Sequence, residues 1–120
     1  MCIRDRYGHR AFVSLLDLVA FGDMAERLST VGREAFLSEE RNSLAGEAIM
    51  MRLGEAVARL PARLVDDYGD QIAFRLIKDF RNVVAHRYDG VRHEVLWATL
   101  VDEIPVEVAK VRSLLAARAG

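Results

Sequence analysis

The sequence contains little of several residue types, and each shortage excludes a class of protein. Its 120 residues include one cysteine, Cys2, so an internal disulfide is excluded and no cysteine spacing suggests a metal site. No apolar run approaches the roughly 20 residues that a membrane-spanning helix needs. These shortages predict a protein of the reducing cytoplasm with no membrane contact.

Net charge is also small, at −1. Overall basicity therefore gives no argument for nucleic-acid binding. The charge is uneven, however, because the stretch from Arg75 to His93 holds five arginine or lysine side chains and only two aspartates. A modest basic patch is expected there, although most charged helix faces are simply solvated.

What the sequence does have is a helix-favouring composition, rich in alanine, leucine, arginine and glutamate and with only two prolines. Apolar residues recur at helical spacing in four stretches, and short helical turns are expected in the connections between them. The predicted fold is an all-α, up-and-down bundle of four main helices. The four stretches are residues 9–29, 40–60, 72–88 and 93–117.

Local features qualify this outline. Gly22 is a candidate kink in the first helix. Pro105 is expected to break the fourth and to lie in the first turn of a fresh helix, because its missing N–H suits that position. The first seven residues, MCIRDRY, lack the apolar core of a secretory signal. Residues 1–8 are therefore expected to be a disordered or non-native head, and residues 9–120 a single helical domain.

The second helix is expected to face the core with one set of residues: Leu44, Ala48, Met51, Gly54 or Glu55, Ala58 and Leu60. Within that set, Gly54 is expected to permit close packing of two helices. Glu55 is expected to make a buried salt bridge rather than to act in catalysis.

The segment RNVVAHRY, residues 81–88, places polar and reactive side chains around three apolar ones. Asn82 and His86 are four residues apart and share a helix face. Arg81 and His86 are five apart, roughly 140° around the helix, so spacing alone does not bring them together. A site could also form between two copies of the chain across a two-fold axis.

The residue types suit phosphate chemistry. Histidine transfers protons near neutral pH, and arginine carries a permanent planar charge that matches phosphate oxygens. Arg81 and His86 would suit cleavage of an RNA phosphodiester by its own 2′-hydroxyl, without a metal or other cofactor. On the alternative interpretation, His86 is a surface or capping residue, since a helix C-terminus favours a cation.

Three further segments accompany the Arg-x4-His-x-Tyr pattern: LLDLVAFGDMAERL, LGEAVARL and VLWATLVDEIPVEVAKVRSLL. Together with that pattern they resemble, in order, the helices of HepT-like toxins, a branch of the HEPN superfamily. The resemblance covers about Arg10 to Leu115, nearly the whole chain.

The resemblance implies an all-α homodimer with the motif lining a cleft at the dimer interface. It implies a metal-independent endoribonuclease with RNA as substrate, acting as a toxin, with Arg81 and His86 as the catalytic pair and Asn82 as a supporting polar residue. The implied partner is an MNT-type nucleotidyltransferase antitoxin that transfers AMP to Tyr88. Arg87 occupies a variable position and is a candidate phosphate contact.

Two other functions remain open on sequence grounds. The chain could be a non-catalytic helical dimer that serves as partner or substrate of a nucleotidyltransferase, as its near-neutral charge would allow. It could also be a HEPN-type nucleotide-binding module in which Arg81 and Arg87 hold phosphates.

Overall fold

The computed structural model describes residues 2–86 and 92–117, with the backbone but not the side chains of Ala85 and His86. No helix in this described part is long and apolar enough to cross a membrane. Its elements, in chain order, are α1 (Ile3–Tyr7), α2 (His9–Ser29), α3 (Arg33–Ser38), α4 (Glu40–Ala58), α5 (Ala62–Tyr68), α6 (Phe74–His86), α7 (His93–Ala98), a π-helical segment (Thr99–Glu103) and α8 (Ile104–Ala117).

The helix α4 lies at the centre of the fold and packs against both α2 and α6, while α8 packs on the other side of α2. All of these helices contribute to one cluster of buried apolar side chains. The described residues form helices and no strands, which confirms the predicted all-α class. Fully buried members of the core include Leu15 and Leu18 of α2, Met50 and Leu53 of α4, and Leu96, Leu100 and Ile104 near the end of the chain.

The first long helix has the predicted bounds and runs without interruption through Gly22. A Cβ atom at this position would lie 2.6 Å from Cγ2 of Val108 in α8. Gly22 therefore lies where α2 and α8 are in close contact, and its missing side chain leaves room for Val108.

Pro105 lies in the first turn of a new α-helix, α8, as predicted, but the chain stays helical across the break. From His93 to Ala117, α7, the π-helical segment and α8 follow one another without a gap. Proline lacks an N–H and its ring would clash with the carbonyl four residues earlier in a regular α-helix. The wider turn of the π-helical segment, which ends two residues before Pro105, relieves that clash and lets the helix go on.

The face of α4 that meets the core differs in part from the predicted one. Leu44 is 52% exposed, and Ala48 and Ala58 are exposed as well, whereas Gly54 is buried as predicted. The buried face also includes Gly46, and at both glycines neighbouring side chains lie directly against the helix backbone. Since α4 is packed between several elements, the closest approaches of its neighbours decide which face is buried, and these occur at the small residues.

The head of the chain includes a short helix, α1. Ile3 and Tyr7 lie one helical turn apart in α1 and are only 2% and 7% exposed. The Tyr7 hydroxyl donates a 2.5 Å hydrogen bond to Asp67 Oδ2, close to the end of α5. Arg63 of α5 donates a second bond across the same contact, to the carbonyl of Arg6. Residues 3–7 therefore belong to the packed part of the chain.

Tyr7→Phe is expected to lower the free energy of unfolding by about 1 kcal/mol, because it removes a partly buried hydrogen bond to a carboxylate. Burial, and then the bond to Asp67, raise the pKa of Tyr7 to about 12. The fold thus favours the neutral phenol. This contribution is complete below the unfolded pKa of about 10 and is lost as the pH rises through about 12.

Urea unfolding of the native and Tyr7→Phe chains across this pH range measures the effect. The difference between them should be constant up to about pH 10 and shrink above it. Tyr68→Phe removes the neighbouring hydroxyl and is the matched control. Equal stability of the native and Tyr7→Phe chains at neutral pH would contradict the assignment.

Candidate active site

The helix that carries the motif is positioned from both of its sides. Ile77 and Val84 are buried in the core, while Arg75 and Lys78 are exposed. At the N-terminal end of α6, the backbone N–H of Ala73 donates a 2.7 Å hydrogen bond to Glu107 of α8. A carboxylate at a helix N-terminus satisfies a free N–H and interacts favourably with the helix dipole. The neighbouring helix α8 therefore sets where α6 begins.

Arg81 is restrained along its whole length. A Cβ atom at Gly54 of α4 would lie 2.6 Å from both Cγ and Cδ of Arg81, so the arginine stem rests on the α4 backbone. At its far end, Nη2 donates a 2.9 Å hydrogen bond to Oδ1 of Asn82. The stem and the guanidinium are both held, and the charged group has little rotational freedom left to lose on binding an anion.

The Nε atom of Arg81 is buried and has no hydrogen-bond partner among the described residues. A buried N–H without an acceptor raises the free energy of the fold, so such groups are uncommon. The feature singles out Arg81 as a candidate functional residue.

The structure relates the motif residues to one another only in part. Asn82 and His86 both lie in α6, four residues apart, as the sequence predicted. The contact that the structure shows for Arg81 is with Asn82. Arg87 and Tyr88 lie outside the described residues, so their predicted roles stay predictions.

The two predictions for the Gly54–Glu55 pair have different outcomes. Close helix packing at Gly54 is confirmed, and its contact is Arg81 itself. The buried salt bridge is wrong: Glu55 Oε1 lies 3.6 Å from Nη1 of Arg52 in the same helix, and both side chains are more than a third exposed.

Sequence reasoning missed one acidic residue of α4. Glu47 of α4 lies seven residues before Gly54, on the same helix face. Its Oε2 is 3.9 Å from Nε2 of His93, in the first turn of α7. The i, i+7 spacing between Glu47 and Gly54 could have indicated that the two residues share one face of α4. No group of three or more potential metal ligands occurs in the described parts of the chain.

Comparison with known proteins points to a family of ribonucleases. The family model for HepT-like ribonucleases matches residues 18–114. A protein of Caldanaerobacter subterraneus subsp. tengcongensis, named a "putative RNase", is 26% identical over 92 residues, which cover 77% of this chain and 81% of that protein. No solved structure gives a significant match. Because the family model matches most of the chain, including the motif, the chain belongs to the HepT-like ribonuclease family.

Proposed function

We propose that this chain is a metal-independent endoribonuclease, the toxin of a toxin–antitoxin pair, that cleaves RNA with Arg81 and His86. The observation that carries the proposal is the restrained guanidinium of Arg81, which rests on Gly54 and is tied to Asn82. Membership of a ribonuclease family and the likeness to a protein named as an RNase support the activity.

The reaction needs two proton transfers and one stabilised anion. His86 takes the proton of the 2′-hydroxyl as that oxygen attacks the adjacent phosphorus. The bond from phosphorus to the 5′ oxygen breaks, that oxygen takes up a proton from water, and the products carry a 2′,3′-cyclic phosphate and a 5′-hydroxyl. Arg81 stabilises the charge that builds up on the pentacoordinate phosphate, and Asn82 holds its guanidinium in place.

His86→Ala is expected to lower the rate of RNA cleavage by about 10²- to 10⁴-fold, the usual contribution of a general acid–base group. The assay is cleavage of a labelled RNA mixture by the purified protein in EDTA, with the product ends identified. The chain's two other histidines provide matched controls, and His9→Ala and His93→Ala should keep most of the activity. An unchanged rate in His86→Ala would rule out the proposed catalytic pair.

The proposal includes a homodimer, supported by an apolar ridge on α6. Leu76 and Val83 lie seven residues apart on one side of the helix and are 52% and 56% exposed, with half-buried Phe80 between them. Exposed apolar residues in a continuous row typically mark an interface. Since the ridge runs beside the motif on the same helix, pairing two copies through it would bring two sites together.

Val83→Glu is expected to convert a dimer into a monomer, because the interface would have to bury an unpaired carboxylate. Sedimentation equilibrium of the native and variant chains measures this. Val31→Glu changes another exposed valine, away from α6, and should leave the dimer intact. A native chain that sediments as a monomer at every concentration would contradict the proposed dimer.

The proposed antitoxin is an MNT-type nucleotidyltransferase that acts on Tyr88. The phenol oxygen attacks the α-phosphorus of ATP and pyrophosphate leaves, so that Tyr88 carries AMP. Two residues from His86, the added phosphate would place negative charge and bulk where RNA must bind. The support for this step is the position of Tyr88 in the Arg-x4-His-x-Tyr pattern.

Incubation with ATP and a nucleotidyltransferase encoded beside this chain should raise its intact mass by one or more AMP units and abolish RNA cleavage. Tyr88→Phe should stay unmodified and active under the same conditions. Tyr68→Phe, a tyrosine change at a distance from the motif, should still be modified. AMP found on the Tyr88→Phe chain would show that another residue is the acceptor.

A further inference from the structure

The polar face of α6 extends well beyond the motif. Arg75, Lys78 and Asn82 occupy positions i, i+3 and i+7, which fall on one side of an α-helix. Residue 86 is the next position in the same series, at i+11. The backbone of α6 therefore aligns two cationic residues with the proposed catalytic site along one helix face.

These two cationic residues also line a groove. Across a cavity of about 230 Å³, Arg75 and Lys78 face Val57 at the end of α4, Leu60 just after it and Asp66 of α5. The helices α4 and α6 run antiparallel here, because Arg81 meets Gly54 while Lys78 lies beside residues 57 and 58. The groove thus continues the contact between α4 and α6 in which Arg81 is held, which we call the seam.

Only part of the charge in this groove is neutralised. Nη2 of Arg75 lies 3.0 Å from Oδ1 of Asp66, so these two charges offset each other. Lys78 makes no hydrogen bond or ion pair with any residue in the described ranges 2–86 and 92–117. The other acid on this part of α6, Asp79, does not line the groove. The ammonium group of Lys78 is therefore an uncompensated positive charge beside the seam.

We propose that Lys78 binds a phosphate of the RNA strand that flanks the phosphate being cleaved. The inference rests on the proposed ribonuclease function and adds a subsite to it. Eight residues, about 12 Å along the helix axis, separate Lys78 from His86, so the phosphate proposed for Lys78 is not the one being cleaved. An exposed ammonium group is well suited to a phosphate oxygen and provides affinity without base specificity.

The test compares a long substrate with a short one. The long substrate is a labelled single-stranded oligoribonucleotide, and the short one is the dinucleotide that spans its mapped cleavage position. Lys78→Gln is expected to raise KM for the oligoribonucleotide about five-fold and to leave kcat unchanged. The dinucleotide is too short to reach Lys78. With it, the Lys78→Gln variant should have the same kcat and KM as the native chain. Lys78→Arg keeps the charge and should restore KM.

Salt dependence gives a second readout. Loss of one phosphate contact should make the plot of log affinity against log salt concentration shallower by about 0.7 for single-stranded RNA. The matched control is Lys110→Gln, which changes the chain's only other lysine. Lys110 is paired with Glu107 on α8 and lies outside the groove, so its loss should leave KM and the salt slope as they are.

The outcomes separate this inference from the proposed function. Suppose that the native chain cleaves both substrates and that Lys78→Gln has the same kcat and KM for each. The proposed subsite is then wrong and the ribonuclease proposal stands. If the native chain cleaves neither, the ribonuclease proposal fails. Fluorescence anisotropy with the oligoribonucleotide still decides the subsite in that case, because equal binding by the native and Lys78→Gln chains would overturn it.

Discussion

At Gly54 the absence of a side chain lets α6 approach α4 so closely that the stem of Arg81 lies on the α4 backbone. Any larger residue would meet Arg81 close to its own backbone, where the side chain cannot rotate away, so the two helices would have to separate. The direction of the guanidinium, its bond to Asn82 and the burial of its Nε all depend on this approach. A glycine in one helix thereby defines the position of a charged group in another.

The helix α6 combines four environments within 13 residues. Its inner side anchors it in the core through Ile77 and Val84, and the seam with α4 holds Arg81. Its polar side carries Lys78, and a third of a turn away the exposed ridge that includes Val83 is available for a second copy of the chain. Because a helix is rigid, anchoring one side orients the other three, and the core thus positions the chemistry.

Positive charge on the surface of this small fold is largely cancelled in local pairs. Several exposed arginines are paired with carboxylates, among them Arg59 with Asp17, Arg75 with Asp66 and Arg112 with Asp23. Each such exposed pair contributes little to stability, on the order of 0–1 kcal/mol. Their effect is instead to cancel positive charge away from the seam. A net charge of −1 is thus compatible with an anion-binding surface, because unpaired cations such as Lys78 matter more than the total.

The sequence by itself determined the all-α class, the bounds of α2, the motif on α6 and the resemblance that the family match confirms. These are local properties, since the spacing of apolar residues and the order of segments can be read without knowing what they pack against. The tertiary structure alone decided the buried face of α4, the continuation of the last helix through Pro105, the docking of α1 and the contact between Gly54 and Arg81. Each of these features depends on a partner that is distant in sequence. The shape of the neighbouring elements determines which face of a helix is buried and where two helices can touch, and the spacing of apolar residues within one helix does not.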